Sequence, residues 1–323
     1  MKEPEPQGSH DGPAGGDGLI FVAHPNAALE DLQALVAEVA APAVGETVGL
    51  FPSTPYEGDC RICGQWASLT EEHLPPRGAF NKGRGRTPEL MDMLGSDTVD
   101  FPGSGPTEQG GICGYTLCLD CNNFSGTRWG REYQEWARRA AQALTTVPGG
   151  IAAVDSQAVY PGWEPLIFKG VFPGRFVRQV LAMMLTISGS AELGERYGAL
   201  RRLVLGGDPE PLPDPLRLYV SVFAGPLARI AGGPNGQLWA NLESRVARRL
   251  LAVDFPPLAS VLLLDGPEAP ELGVDISTFA ETAPDRRMDV TFEVMPLGFG
   301  YKPWPTDYRT RGRIIADAID SET

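Results

Sequence analysis

Four cysteines in two pairs carry the first chemistry readable in this chain: Cys60-x-x-Cys63 and Cys118-x-x-Cys121. A two-residue gap lets both sulfurs of a pair turn toward one ion. Four thiolates at about 2.3 Å then close a tetrahedral zinc site with no open position. The pattern therefore predicts a structural Zn2+. Cys113 lies outside it and reads as a small buried hydrophobe. Between the pairs stands Glu72-His73-Leu74-Pro75-Pro76, a carboxylate directly before an imidazole, and Asn122-Asn123 follows the second pair at once. An imidazole titrates near neutral pH and can take a proton from water, while carboxylate and carboxamide oxygens suit hard divalent ions. Hydrolysis of a phosphodiester needs both a base for the water and a Lewis acid for the charge on the phosphate and leaving oxygen. Of the histidines, His10 falls in a polar tail and His24 lies before Pro25; only His73 sits in such a phrase.

These residues resemble the HNH endonucleases in their zinc-stapled, treble-clef form. That family joins two Cys-x-x-Cys knuckles to an Asp/Glu-His-Ile-x-Pro-like phrase, a middle Asn and a final His or Asn. Glu72-His73-Leu74-x-Pro76 matches the phrase and Asn122 falls on the final position. The slot for the middle Asn, counted back from Cys118, falls near Cys113. The likeness spans roughly residues 56–140. It implies a ββα-metal core in which Glu72 binds a catalytic Mg2+ or Mn2+ and His73 activates water. Asn122, with Asn123 as the alternative, would add an oxygen ligand; Glu71 competes with Glu72. The implied activity is an endonuclease acting on DNA, in restriction or anti-phage defence, with a homodimer or a regulatory protein as partner. A second expectation, drawn from the Cys113 slot and the acidic surface, is a zinc-stabilised scaffold without catalysis that acts through a partner.

Charge bounds how such a module meets nucleic acid. The chain has 323 residues and a net charge of −14, which argues against avid, sequence-blind binding. Residues 60–140 hold nine Lys or Arg against ten Asp or Glu, a net of −1, so the excess lies elsewhere. Arg77, Lys82, Arg84 and Arg86 after the histidine phrase, and Arg128 and Arg131 after the second knuckle, are the expected phosphate contacts. Trp129 reads equally as a base clamp and as core. No run of eighteen apolar residues exists to span a membrane, and the first residues lack the basic flank and apolar stretch of a secretion signal. Cysteines spent on knuckles fit a reducing cytoplasm.

The elements that must position these groups read as an α+β protein. Residues 1–18 are expected to be a disordered tail, and 19–55 a strand followed by a helix over 27–41. Residues 56–147 form the HNH-like module, with a long basic loop from Arg77 to Gln109. Asn122 is expected to open a short helical turn interrupted at Gly126, followed by a helix over 129–145. Its apolar stripe is Tyr133, Trp136, Ala137, Ala140 and Leu144. After a boundary at Val147-Pro148-Gly149-Gly150, residues 148–323 read as a mixed helix and antiparallel-sheet domain of unread role. Strands are expected at 154–159, 166–168, 216–223, 258–264 and 289–295, and helices over 173–187 and 191–204.

Overall fold

A computed structural model of the chain describes residues 52, 54–82, 84–86, 107–145, 166–222, 228–233, 236–241 and 246–292. The expected tail, the strand and helix of 19–55, the boundary near 147 and the strand at 154–159 lie outside them. Within them the protein is α+β, with helices packed beside antiparallel sheets.

The first unit is a small sheet followed by a helix. Strand β1 (Glu57–Asp59) pairs with β2 (Trp66–His73), and β2 with β5 (Cys113–Cys118), all antiparallel. Between them β3 (Arg84–Arg86) pairs with β4 (Thr107–Gln109), so the basic Arg84-Gly85-Arg86 stretch is strand rather than loop. Helix α1 (Leu119–Arg128) leaves β5 without an intervening loop. It starts three residues before Asn122 and runs through Gly126, breaking instead at Trp129. Neither Asn122 nor Asn123 caps it; Cys118 occupies that position. Helix α2 (Gly130–Thr145) follows, and Tyr133, Trp136, Ala137 and Ala140 are buried as one stripe.

The remainder is built around α3 (Pro173–Ile187), which Pro173 opens from its first turn, where a missing N–H costs nothing. All of its side chains except Arg175 are buried. Strand β6 (Leu166–Val171) precedes it and pairs with β13 (Met288–Phe292). One helix was expected over 191–204; two form, α4 (Glu192–Arg196) and α5 (Gly198–Val204), parted at Tyr197. A larger antiparallel sheet runs β12 (Val274–Asp275), β7 (Arg217–Val222), β11 (Leu258–Asp265), β10 (Val246–Phe255), β8 (Arg229–Ala231), with β9 (Gln237–Asn241) also on β10. Its centre is the hairpin β10–β11; β10 was not expected from sequence.

One hydrophobic cluster runs from Cys60 to Val290 across both halves of the chain. Trp136 of α2 stacks on Phe176 of α3 with centroids 3.8 Å apart, and Tyr133 stacks on the same ring at 5.6 Å. The Trp136 indole and the Phe172 peptide both donate to Glu132 Oε1, at 2.9 and 2.8 Å, which satisfies a buried carboxyl at the edge of the core. Arg61, inside the first knuckle, is buried and donates from Nη1 to the Thr186 carbonyl near the end of α3. The knuckle is thereby seated on the C-terminal core.

Candidate functional site

The two cysteine pairs meet at one end of the β2–β5 ladder. Cys60 and Cys63 lie on the turn between β1 and β2; Cys118 ends β5 and Cys121 sits in the first turn of α1. Their sulfurs all lie within 4.8 Å of one another, and Cys63 Sγ is 3.9 Å from Cys118 Sγ. Sulfurs around a tetrahedral zinc stand roughly 3.8 Å apart, so little movement separates this cluster from a closed Zn2+ site. The turn that aims them is set by Gly64, at φ +73°, a left-handed conformation glycine takes without strain. The Gly64 and Cys60 peptides donate to Cys60 O and Gln65 O at 2.7 and 2.9 Å. Burial raises the Cys63 thiol, and a hydrogen bond with Cys60 together with burial raises that of Cys121, while the same pairing lowers Cys60. Four thiolates cannot stay charged there unaided; a divalent cation such as Zn2+ would supply the compensation.

His73 lies at the other end of the ladder. It pairs directly with Cys113 on β5, whereas Leu69 pairs with Cys118. Five residue steps along β5 separate the two ends, roughly 17 Å of strand. Between them the register shifts at Thr70/Glu71, leaving Thr116 as an extra residue on β5 whose carbonyl accepts from the Arg61 peptide at 3.2 Å. The inside–outside alternation of β2 slips with it. Leu69 is buried before the irregularity and Glu72 after it, so Glu71 and His73 face outward together.

This decides which carboxylate accompanies the histidine. Neighbours on a strand point to opposite faces, and residues two apart share one. Glu71 Oε1 lies 3.9 Å from His73 Nδ1. Glu72 points inward, opposite Gly114, and burial pushes its carboxyl up to about 8. Glu72, expected from the sequence as the carboxylate at the site, therefore faces the core, and Glu71 is the carboxylate beside His73. Asn122 is tied from the helix to the backbone of β2. Its Nδ2 donates to Thr70 Oγ1 at 3.0 Å and to the Glu71 carbonyl at 2.8 Å, which leaves its amide oxygen as the ligand-capable atom. Asn123 is exposed one residue further on.

Asn81 was not singled out in the sequence, yet it shapes the site. It is buried, donates from Nδ2 to Pro75 O at 2.8 Å and Ile112 O at 2.9 Å, and accepts from the Ile112 peptide at 2.7 Å. It thus clips the segment after His73 to the residue before Cys113. Gly111 makes room for it: a Cβ there would lie 2.3 Å from Asn81 Oδ1, at a φ of +105°. The signal in the sequence was an Asn within a glycine-rich, basic run, which reads first as a turn.

Of the expected phosphate contacts, Arg77, Lys82, Arg128 and Arg131 are exposed, with Arg128 over the Phe124 ring at 5.3 Å. The side chains of Arg84 and Arg86 lie outside the described residues. Trp129 is core, donating from its indole to Val204 O at 2.8 Å. Among the described residues no helix is long and apolar enough to cross a membrane. No protein-family model, no characterised protein and no solved structure matches the chain.

Proposed function

We propose that the chain is a metal-dependent endonuclease of the HNH kind, hydrolysing phosphodiester bonds of DNA on the outward face of the β2–β5–α1 unit. The observation that carries this reading is the pairing of Glu71 with His73 on the outward face of β2, with Asn122 of the following helix bonded to the Glu71 backbone carbonyl. The cysteine cluster at the far end of the ladder would hold Zn2+ as a structural clip. In this reading Glu71 and the Asn122 oxygen hold Mg2+ or Mn2+, which supplies Lewis-acid stabilisation of the phosphate. His73 accepts the proton of the attacking water. The middle Asn sought near Cys113 is met by Asn81, in the chain order His73, Asn81, Asn122. Arg77, Lys82, Arg128 and Arg131 are the exposed cations available to the DNA backbone. Incubating supercoiled plasmid with the zinc-loaded chain, with and without Mg2+ or Mn2+, tests the proposal; absence of ion-dependent nicking counts against it.

Acidic composition favours a second reading, a zinc-stabilised scaffold acting through a protein partner. It predicts that His73→Ala leaves function unchanged.

A further inference from the structure

We propose that Glu71, His73 and Cys113 form a second metal site, open to solvent and selective for a thiophilic divalent ion of the zinc class. The proposal stands on geometry independent of the hydrolysis reading. His73 and Cys113 are direct cross-strand partners, the closest approach two side chains on neighbouring strands have. Glu71, two residues before His73, shares its face, and one donor atom from each of the three residues lies within 4.8 Å of the others. Donors bound to a single zinc stand roughly 3.2–3.8 Å apart, so contraction by about 1 Å, within the reach of ordinary side-chain rotation, closes the set.

The donors decide the ion. One carboxylate oxygen, one imidazole nitrogen and one thiolate sulfur match zinc and its neighbours, whereas Mg2+ avoids sulfur and nitrogen. The three come from one strand pair and leave a tetrahedral ion at least one free position, the arrangement of an exchangeable rather than a closed site. Side-chain exposures of 48% for Glu71 and 20% for His73 give an ion a route in. The four-cysteine cluster lies at the opposite end of the ladder, so the two sites bind separately. One consequence joins this site to the proposed function. A neutral imidazole has one nitrogen lone pair, and an ion that takes it leaves His73 unable to accept a proton from water.

The test is Co2+ titration of the full chain, purified with its tightly held zinc and dialysed against a mild chelator. The wild type is expected to take up one further equivalent, with a thiolate-to-cobalt charge-transfer band. Cys113→Ala and His73→Ala should each weaken that uptake on the order of 100-fold while retaining the tight zinc and an unchanged circular dichroism spectrum. Bound Co2+ should also slow alkylation of Cys113 in the unaltered chain about tenfold or more, read peptide by peptide. Absence of a further equivalent, or a further equivalent that neither shields Cys113 nor depends on it, overturns the site. Uptake as expected in a chain that never cleaves DNA leaves the site standing and removes the nuclease.

Discussion

The Asn81 carboxamide and the Ile112 peptide are bonded in both directions: Nδ2 donates to Ile112 O at 2.9 Å and Oδ1 accepts from Ile112 N at 2.7 Å. That pairing fixes where Cys113 begins β5, and hence what stands opposite His73. Asn81→Ala removes the partner of the Ile112 N–H and of the Pro75 carbonyl, at a cost of about 1–3 kcal/mol. Asn81→Asp keeps the acceptor for the Ile112 N–H but sets a buried carboxylate against the Pro75 and Ile112 carbonyls, so it should not recover that loss. Chemical denaturation of the three proteins measures it, and an alanine variant within about 0.5 kcal/mol of wild type would show that the clip carries no strain-free alignment.

Removing one thiolate opens the cysteine cluster. Cys60→Ala and Cys121→Ala should lose the tight zinc and unfold at markedly lower denaturant than Cys113→Ala, because binding free energy at a closed site is folding free energy. Metal analysis beside a denaturation curve separates them. Equal stability of all three variants would mean that the cluster holds no structural ion.

Glu72 gives the fold a pH dependence of defined sign. Burial raises its carboxyl from an ordinary 4.5 to about 8. A raised acid contributes its stability below the unfolded value and loses it as pH climbs through the folded one. Wild type should therefore weaken relative to Glu72→Gln between about pH 5 and about pH 8 and level off above, by at most about 4–5 kcal/mol. Denaturation midpoints of both proteins across that range, at saturating zinc, provide the check; parallel curves would contradict it.

The sequence carried the four-cysteine cluster, because thiol spacing is local chemistry, and it carried the long elements, because α2 and α3 announce themselves by period and by Pro173. What it hid was register. Glu72-His73 looks like a unit when read along the chain, yet a strand turns adjacent residues apart, and the slip at Thr70/Glu71 decides which one faces out. Without that slip, strict alternation would place Glu71 and His73 inside with Leu69. Cys113 likewise gained a partner only through cross-strand pairing. Strand β10 escaped because Arg248 and Arg249 interrupt its apolar run; Arg248 is buried and donates to the Pro267 and Glu268 carbonyls at 3.1 and 2.8 Å.

Zinc should act against magnesium at His73. Adding Zn2+ to Mg2+-supported cleavage is expected to suppress the wild type, and Cys113→Ala should need on the order of tenfold more zinc for the same suppression. Cleavage that zinc alone supports would instead make His73 a ligand and the bound ion the activator of water.

The most direct measurement is plasmid nicking by wild type and His73→Ala in Mg2+ or Mn2+, with tightly bound zinc quantified in both after mild chelation. The account predicts ion-dependent nicking by the wild type, a loss of roughly 100-fold or more in the variant, and about one tight zinc in each. Nicking that survives in His73→Ala, or none by a wild type carrying its full zinc, would contradict the claim that this face hydrolyses DNA.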